Sequence, residues 1–364
     1  MSRPKVDRLS ANRRKATLSF TRFPRQGIRL QLPDLGYQTL GDHRTWPSLR
    51  ARPRVSARAI GVYRGRRRFA NDPPVNAEVT QVIDIHSAAG RRFEAGGVRS
   101  FVREQGSGPD VVLLHGVPAS SFTYRKVLGP LADQDLRATA FDFPGLGLAD
   151  RPQRFDYSWS GLAEWLGQAI DALEIDRCHL VVHDIGGPIG CEWAIRNPDR
   201  VLSLTALNTM LNPATFRRPW TMQPFAVRGL GELWLHATPR PLFAALFRAQ
   251  GLADRRAMST AEIYAYDALL TRLDRGRAFL RIMRSFDLTE EKQRFLWEGL
   301  ADRPWPARIV WGERDPALGI DLLRVAQRVL GVDDPVLLPA KHFLQEDQAA
   351  PLAYVIADLV APLG

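Results

Sequence analysis

The chain has 364 residues, of which 45% are hydrophobic and 9% aromatic, enough to bury a globular core rather than remain disordered. No apolar run approaches the ~20 residues that cross a bilayer, which argues against a membrane-spanning protein. The net charge of +11 would suit a nucleic-acid-binding protein, but residues 1–73 hold 18 Lys and Arg against four Asp and carry +14, which leaves −3 for the rest.

The basic residues belong to an N-terminal arm, which we place over residues 1–85. Stretches such as "ANRRKATLSF" and "VYRGRRRFAN" could bind phosphate backbones without sequence specificity. Arg13 and Arg14 suggest a twin-arginine export signal, but arginines stand where that signal needs an apolar segment. We therefore expect a disordered basic tail or an extension from a wrongly assigned start codon, with nucleic-acid binding as the weaker alternative.

Periodic segments begin at about residue 91. "RRFEAGGVRSFVREQG" predicts two antiparallel strands joined at Gly96–Gly97, and "DVVLLHG" (110–116) predicts a strand buried on both faces. The next predicted elements are a helix (120–132), a strand (136–145), a helix (160–175), a strand (179–184), a helix (188–197) and a strand (201–208). The last predicted elements are a strand (307–312), a helix (320–331), a strand (335–340) and a helix (351–362).

This alternation predicts an α/β fold, a mostly parallel sheet with helices on both faces. Residues 211–305 interrupt it with aromatics and helical spacing, as in "TAEIYAYDALLTRL", which predicts a helical cap inserted over the sheet. The core is then expected to comprise residues 86–210 and 306–364.

The stretch "HLVVHDIGGPIG" (179–190) places an ionisable side chain where a buried strand gives way to a glycine turn. An unpaired buried charge at Asp184 would cost several kcal/mol or more. Gly186 and Gly187 permit a sharp reversal, and Pro188 suits a first helical turn. A strained strand-to-helix turn with a reactive side chain at its tip is typical of a nucleophile elbow.

Other unusual residues follow other predicted strands, and ligands of parallel sheets bind at those carboxyl ends. The segments that we expect to converge there are 115–118, 142–150, Asp184 to Gly187, Asp315 and His342. No motif requires a metal or a cofactor.

The chain resembles the α/β-hydrolase superfamily and, within it, the aspartate-nucleophile branch of haloalkane dehalogenases and epoxide hydrolases. The resemblance covers about residues 91–362. It rests on five motifs in order, "HGVPASSFTYRKV", "FDFPGLGLADRP", "VVHDIGGPIG", "WGERDPALG" and "KHFLQEDQ". It implies Asp184 as the nucleophile, Asp315 as the acid of a triad and His342 as the base.

The residue types suit this chemistry. An ionised carboxylate needs no deprotonation to attack a saturated carbon and form an ester, and a histidine held by an acid could activate the water that hydrolyses it. Backbone N–H groups of Val117 and Ile185 would hold the developing oxyanion.

Each residue also has a structural interpretation. Asp184 could cap the helix after it, Asp315 could be a turn residue, with Asp321 a competitor for the acid role, and His342 could be a hydrogen-bonded structural residue. His115 and His183 are expected to support the pocket. The glycines of "FPGLGLAD" lack phosphate-loop spacing and favour a tight active-site loop.

The chain departs from both enzyme classes. Haloalkane dehalogenases carry a halide-binding Trp directly after the nucleophile, where this chain has Ile185, and many have a polar residue where it has Val117. Trp220 or Trp234 could replace those donors.

Epoxide hydrolases use two cap tyrosines as acids. Tyr264 and Tyr266 are the candidates, but positions two apart on a helix point about 200° from each other, so at most one can face the site. The segment "IYAYDALL" resembles the dehalogenase cap more than the epoxide-hydrolase cap.

We therefore expect a cofactor-independent hydrolase that acts with water on a small apolar organic substrate and is haloalkane dehalogenase-like. The alternatives are an epoxide hydrolase and a non-catalytic, ligand-binding member of the fold. Cys178 and Cys191 match no disulfide framework or zinc spacing, which favours a packing role for both and a cytoplasmic location. The oligomeric state stays open.

Overall fold

The computed structural model describes residues 77–363 and the backbone of two short strands nearer the N-terminus. The strands are β1 (Ser19–Arg22), β2 (Ile28–Gln31), β3 (Arg91–Ala95), β4 (Val98–Gln105), β5 (Asp110–Leu114), β6 (Arg137–Phe141), β7 (Cys178–Asp184), β8 (Val201–Thr209), β9 (Ala307–Gly312) and β10 (Val336–Leu338). The helices are α1 (Ala77–Ala88), α2 (Leu128–Ala132), α3 (Trp159–Ala172), α4 (Gly186–Arg196), α5 (Leu230–Ala237), α6 (Arg240–Gly251), α7 (Thr260–Thr271), α8 (Arg277–Arg284), α9 (Glu290–Ala301), α10 (Ile320–Leu330), α11 (Leu344–Asp347) and α12 (Ala349–Val360). Within the described part of the chain, no helix has the length and apolar character to span a membrane.

The strands form one mostly parallel sheet in the order β1-β2-β10-β9-β8-β7-β5-β6-β4-β3. The exceptions to parallel pairing from β2 onward lie at one edge, where β4 runs antiparallel to β3 and to β6. Ala95 pairs with Val98 across Gly96–Gly97, which confirms the predicted hairpin.

Helices cover both faces of the sheet, and successive residues of β5 show why its sequence is apolar throughout. Val112 and Leu114 pack into a core cluster that includes residues of α3, α4 and α10. Val111 and Leu113 point the other way and pack with residues of α2 and α12. A strand covered on both faces needs apolar side chains at every position. This requirement explains the uninterrupted apolar sequence "VVLL" of β5.

Helices α5–α9 lie between β8 and β9, and we call them the cap. The predicted fold, a mostly parallel sheet covered on both faces with an inserted helical cap, is confirmed. The exact domain limits at residues 86–210, 211–305 and 306–364 stay a prediction.

The predicted strand over 136–145 and the predicted helix over 120–132 differ from the structure for local reasons. The strand predicted over 136–145 is β6, which stops at Phe141 because the next carboxylate organises a loop. Asp142 accepts the N–H groups of Ser121 (2.7 Å) and Leu148 (2.6 Å). The helix predicted over 120–132 is divided into a short 3-10 turn, Ser121–Tyr124, and α2.

The expected N-terminal arm lies outside the described residues for 1–18, 23–27 and 32–76. Residues 77–85, at the end of the predicted arm, belong to α1, and the predicted boundary at residue 85 stays a prediction. This helix was not predicted from the sequence, because few of its residues are strongly apolar. Val79, Ile83 and His86 form its buried face, and the His86 ring contacts Phe101 at 5.0 Å between centroids.

Both cysteines are free and buried. Burial raises the pKa of the Cys178 and Cys191 thiols to about 12, so neither forms a thiolate readily at neutral pH. These thiols therefore pack in the core, as expected, while the cytoplasmic location inferred from them stays a prediction.

The core on the α3 face is expected to dominate the stability of the sheet. Leu166 is fully buried there, whereas Glu164 on the same helix is exposed. Replacing Leu166→Ala should lower the free energy of unfolding by about 2–5 kcal/mol, because it leaves a cavity. Glu164→Ala should change it by no more than about 0.5 kcal/mol. Urea denaturation measures both, and equal losses would contradict this account of the core.

Candidate active site

Asp184 stands at the tip of a strained turn between β7 and α4. Its φ is +53°, in the left-handed region that non-glycine residues rarely adopt. A Cβ on Gly187 would lie 1.7 Å from Thr209 Oγ1, so only glycine lets α4 approach β8 this closely. Thr209 Oγ1 in turn donates to the Asp184 carbonyl at 2.6 Å. The glycines of the motif thus permit the packing that holds the turn.

The Asp184 carboxylate is bound by backbone donors. Val117 N–H donates to Oδ1 at 2.8 Å, and Ile185 N–H also bonds this carboxylate. A Cβ on Gly116 would lie 2.2 Å from Oδ1, which explains the glycine of the "HG" pair. The N-cap of α4 is Ile185, so the capping interpretation of Asp184 is wrong.

Asp315 is held in the loop after β9 by hydrogen bonds to both carboxylate oxygens. Its Oδ1 accepts the N–H groups of Ala317 (2.7 Å) and Leu318 (3.0 Å). Its Oδ2 accepts from Asn208 Nδ2 at 2.8 Å and pairs with His342 Nδ1 at 2.9 Å. These four partners fix the carboxylate against the imidazole.

His342 completes the constellation. With Nδ1–H donating to Asp315, the other ring nitrogen, Nε2, lies 3.8 Å from Asp184 Oδ2. The fold therefore brings together all five residues expected at the site, which are Val117, Asp184, Ile185, Asp315 and His342. The catalytic roles expected for them stay predictions.

The pKa values of Asp184 and His342 are both raised above their ordinary values. Burial raises the pKa of Asp184 above its ordinary value, although His342 and the Val117 and Ile185 N–H groups act in the opposite direction. Burial by itself would lower the pKa of His342, but the carboxylates of Asp315 and Asp184 outweigh it and hold that pKa above 6.5. The two side chains thus stabilise each other as an ion pair.

A family model described as alpha/beta hydrolase fold matches residues 109–349. The chain belongs to the α/β-hydrolase family.

Individual relatives agree with this assignment. A haloalkane dehalogenase of Mycolicibacterium paratuberculosis is 32% identical over 254 residues, which cover 68% of this chain and 81% of the relative. Among solved structures, Cfl2 from Burkholderia cenocepacia is 25% identical with a TM-score of 0.63, over 74% of this chain and 94% of that one. Epoxide hydrolase VrEH1 from Vigna radiata, at 19% identity and a TM-score of 0.62 over 75% and 97%, shares the fold. The chain is therefore a hydrolase with dehalogenase-like and epoxide hydrolase-like relatives.

Two further histidines support the hydrolase site. His115 Nδ1 lies 2.9 Å from Gly116 O, and its Nε2 accepts the N–H of Phe143 at 3.1 Å. His183 Nε2 lies 2.9 Å from the His342 carbonyl oxygen. Burial lowers the pKa of both His115 and His183, which favours their neutral forms. Both contacts fit the expected supporting role, which stays a prediction.

The competing acid and the two possible leaving-group donors are exposed or bound to other groups. The Asp321 side chain is 90% exposed and pairs with Arg324, so it is not the acid. Trp220 is 64% exposed, and Trp234 Nε1 donates to the Thr221 carbonyl at 3.1 Å. Neither tryptophan therefore offers a free buried N–H to a leaving group.

The two cap tyrosines point apart, as their spacing requires. Tyr264 is half-buried with the Arg240 guanidinium 5.6 Å from its ring. Tyr266 is buried, and its hydroxyl donates to Glu346 Oε1 at 2.7 Å. The pair of free hydroxyl acids expected of an epoxide hydrolase is not present at these two positions.

Sequence reasoning missed Asn208, the last residue but one of β8, which is buried and binds Asp315. Its Oδ1 also accepts the N–H of Gly312 at 2.7 Å. The available signal was an amide side chain at the carboxyl end of a buried strand, which is where α/β folds place their sites.

The titration of His342 tests the geometry of this site without a substrate. By NMR, its imidazole should titrate with a midpoint above 6.5, and the neutral form needed for a base then becomes populated as the pH rises through that midpoint. Replacing Asp315→Asn should move the midpoint to lower pH, because burial then has less opposing charge to overcome. Asp321→Asn, at an exposed carboxylate, should leave it unchanged. An unshifted midpoint in Asp315→Asn would contradict the assigned pair.

Proposed function

We propose that this hydrolase cleaves carbon–halogen bonds of small apolar organic compounds, with water as the second substrate and Asp184 as the nucleophile. The observation that carries the proposal is a carboxylate at the nucleophile position. One of its oxygens accepts the Val117 N–H, and the other faces a histidine–aspartate pair. The haloalkane dehalogenase relative, at 32% identity, supports the same reaction class.

In the first step, Asp184 Oδ2 attacks the carbon that bears the halogen. A C–O bond forms, the carbon–halogen bond breaks, and the halide departs with the bonding electron pair. The product is an alkyl ester of Asp184. Oδ1 becomes the ester carbonyl oxygen and already accepts the N–H of Val117, and the Ile185 N–H also acts on this carboxylate.

In the second step, His342 Nε2 takes a proton from water as the water oxygen bonds to Asp184 Cγ. The negative charge that develops on Oδ1 is stabilised by the Val117 and Ile185 N–H groups, each worth about 3 kcal/mol in comparable oxyanion holes. The alcohol then leaves with the proton from His342, and Asp184 is left as a carboxylic acid. Its proton, the second from the water, passes to His342 Nε2 and from there to solvent, which restores the carboxylate and the neutral imidazole. Asp315 stabilises the imidazolium and fixes its orientation.

Epoxide hydrolysis is the second candidate, because Ile185 stands where a halide-binding Trp would be expected. The same ester would form, but ring opening needs an acid for the alkoxide, and the Tyr266 hydroxyl is directed to Glu346. This contact favours dehalogenation over epoxide opening. The complete triad geometry also disfavours a non-catalytic, ligand-binding role.

Replacing His342→Ala should trap the ester, since the first step needs Asp184 alone and the second needs the base. After incubation with bromohexane, intact-protein mass spectrometry should show an increase equal to one hexyl group, and peptide mapping should place it on Asp184. Wild-type protein should release bromide and hexanol with no lasting adduct.

Asp184→Asn is the matched control and should acquire no adduct, because an amide is a poor nucleophile. Styrene oxide serves as the parallel probe, and diol formation from it without bromide release from bromohexane would favour the epoxide hydrolase instead. Turnover of bromohexane with no adduct in His342→Ala would refute the ester mechanism.

A further inference from the structure

The segment 341–347, which carries His342, is bound to the cap. Phe343 N–H donates to the Gly251 carbonyl at 3.0 Å. The Phe343 ring also stacks on Phe247 of α6, with 4.8 Å between centroids and 11° between planes. The residue directly after the histidine is thus fixed to the cap through both its backbone and its side chain.

Two further residues of this segment bind the cap. The Asp347 carboxylate accepts the N–H groups of Ala253 at 2.8 Å and Asp254 at 3.1 Å. Lys341 Nζ donates to the Ala249 carbonyl at 2.6 Å. The cap therefore holds the segment on both sides of the histidine.

Glu346 lies at the centre of a buried ionic cluster in the same segment. Its side chain has no exposed surface and pairs with Arg125. Lys126 Nζ lies 2.9 Å from Glu346 Oε2, and the Tyr266 hydroxyl of α7 donates to Oε1 at 2.7 Å. One carboxylate therefore joins the 341–347 segment, the core and the cap.

The two cations also reach the cap directly. Arg125 donates to Glu262 Oε1 at 2.6 Å, and Lys126 Nζ donates to the Ala257 carbonyl at 2.6 Å. We refer to the following residues as the Glu346 cluster: Arg125, Lys126, Glu262, Tyr266 and Glu346.

We infer that Glu346 is a positioning residue, and that its cluster sets the place of the His342 base by clamping segment 341–347 between cap and core. The proposal rests on the proposed function. Glu346 touches neither the substrate carbon nor the reacting atoms. It acts through the backbone that carries the imidazole, and a displacement of about 1 Å in a catalytic group can cost roughly 100-fold in rate.

Formation of the ester depends on the contacts that hold Asp184, whereas its hydrolysis also depends on the contacts that hold His342. The inference therefore predicts an effect on one step only. Asp184 is held by Val117, Ile185 and the packing of α4 on β8, none of which involves the Glu346 cluster. His342 is held by Asp315 and by segment 341–347. Loosening the cluster should therefore slow hydrolysis of the ester while its formation continues.

The test uses Glu346→Gln in the full chain, with bromohexane as the probe. The substitution keeps the shape of the side chain but removes the charge that binds Arg125 and Lys126. Rapid quenching and intact-protein mass spectrometry should show the hexyl ester accumulating during turnover. Ester hydrolysis should slow by about 10- to 100-fold, with little change in the rate of ester formation.

Glu192→Gln is a matched control, because Glu192 is a second buried carboxylate that joins core and cap. It pairs with Lys292 of α9 at 2.8 Å and has no contact with segment 341–347. This variant should show no accumulation of ester. Tyr266→Phe removes the hydroxyl that contacts Glu346 and Thr123 but leaves the ion pairs of Glu346. It should show the same selective effect to a smaller extent, and it tests the inference if Glu346→Gln does not fold.

Equal slowing of both steps in Glu346→Gln, or ester accumulation in Glu192→Gln as well, would overturn the inference and leave a general stabilising role. With Glu346→Gln unfolded, a Tyr266→Phe variant that behaves as wild type would overturn it too. The absence of any adduct in His342→Ala would instead refute the proposed function itself, so the two failures can be told apart.

Discussion

The binding of one buried carboxylate by backbone N–H groups is the constraint on which the rest of the site depends. Asp184 would be costly to bury without partners, and Val117 and Ile185 supply them from two different loops. For this to occur, the chain must adopt a positive φ at Asp184 and leave no side chain at Gly116. The strand order that places β5 beside β7 brings the two loops together. The same backbone N–H groups thus stabilise the buried charge of Asp184 and fix the position of its carboxylate.

The proposed nucleophile and the proposed base are supported in different ways. Asp184 belongs to a turn between a central strand and a tightly packed helix, whereas His342 lies in a segment whose neighbours bind the cap. Phe343 stacks its ring on the cap, and Glu346 belongs to a buried ionic cluster that also contacts the cap. The cap is therefore bound to the segment that carries His342, the proposed base.

The sequence was informative where chemistry forces a local pattern. The elbow around Asp184, the alternating strands and helices, and the convergence of Asp315 and His342 all followed from residue types at fixed places. Long-range pairings were not predictable, because nothing local in "ALN" or "QED" says that Asn208 binds Asp315 or that Glu346 meets Arg125. Helix α1 was missed because one of the three residues on its buried face is a histidine, while the apolar Ile85 lies on the exposed face. Trp234 and Tyr266 show the same limit, as their polar atoms bind partners far along the chain.

The central claim is that the oxygen delivered to the substrate comes from Asp184 and is replaced from water. Turnover of bromohexane by wild-type protein in water labelled with oxygen-18 tests it most directly. In a single turnover with excess enzyme, the hexanol should carry unlabelled oxygen, and the peptide that contains Asp184 should gain the label. Labelled hexanol from the first turnover, with no label in that peptide, would show direct attack by water and contradict the account.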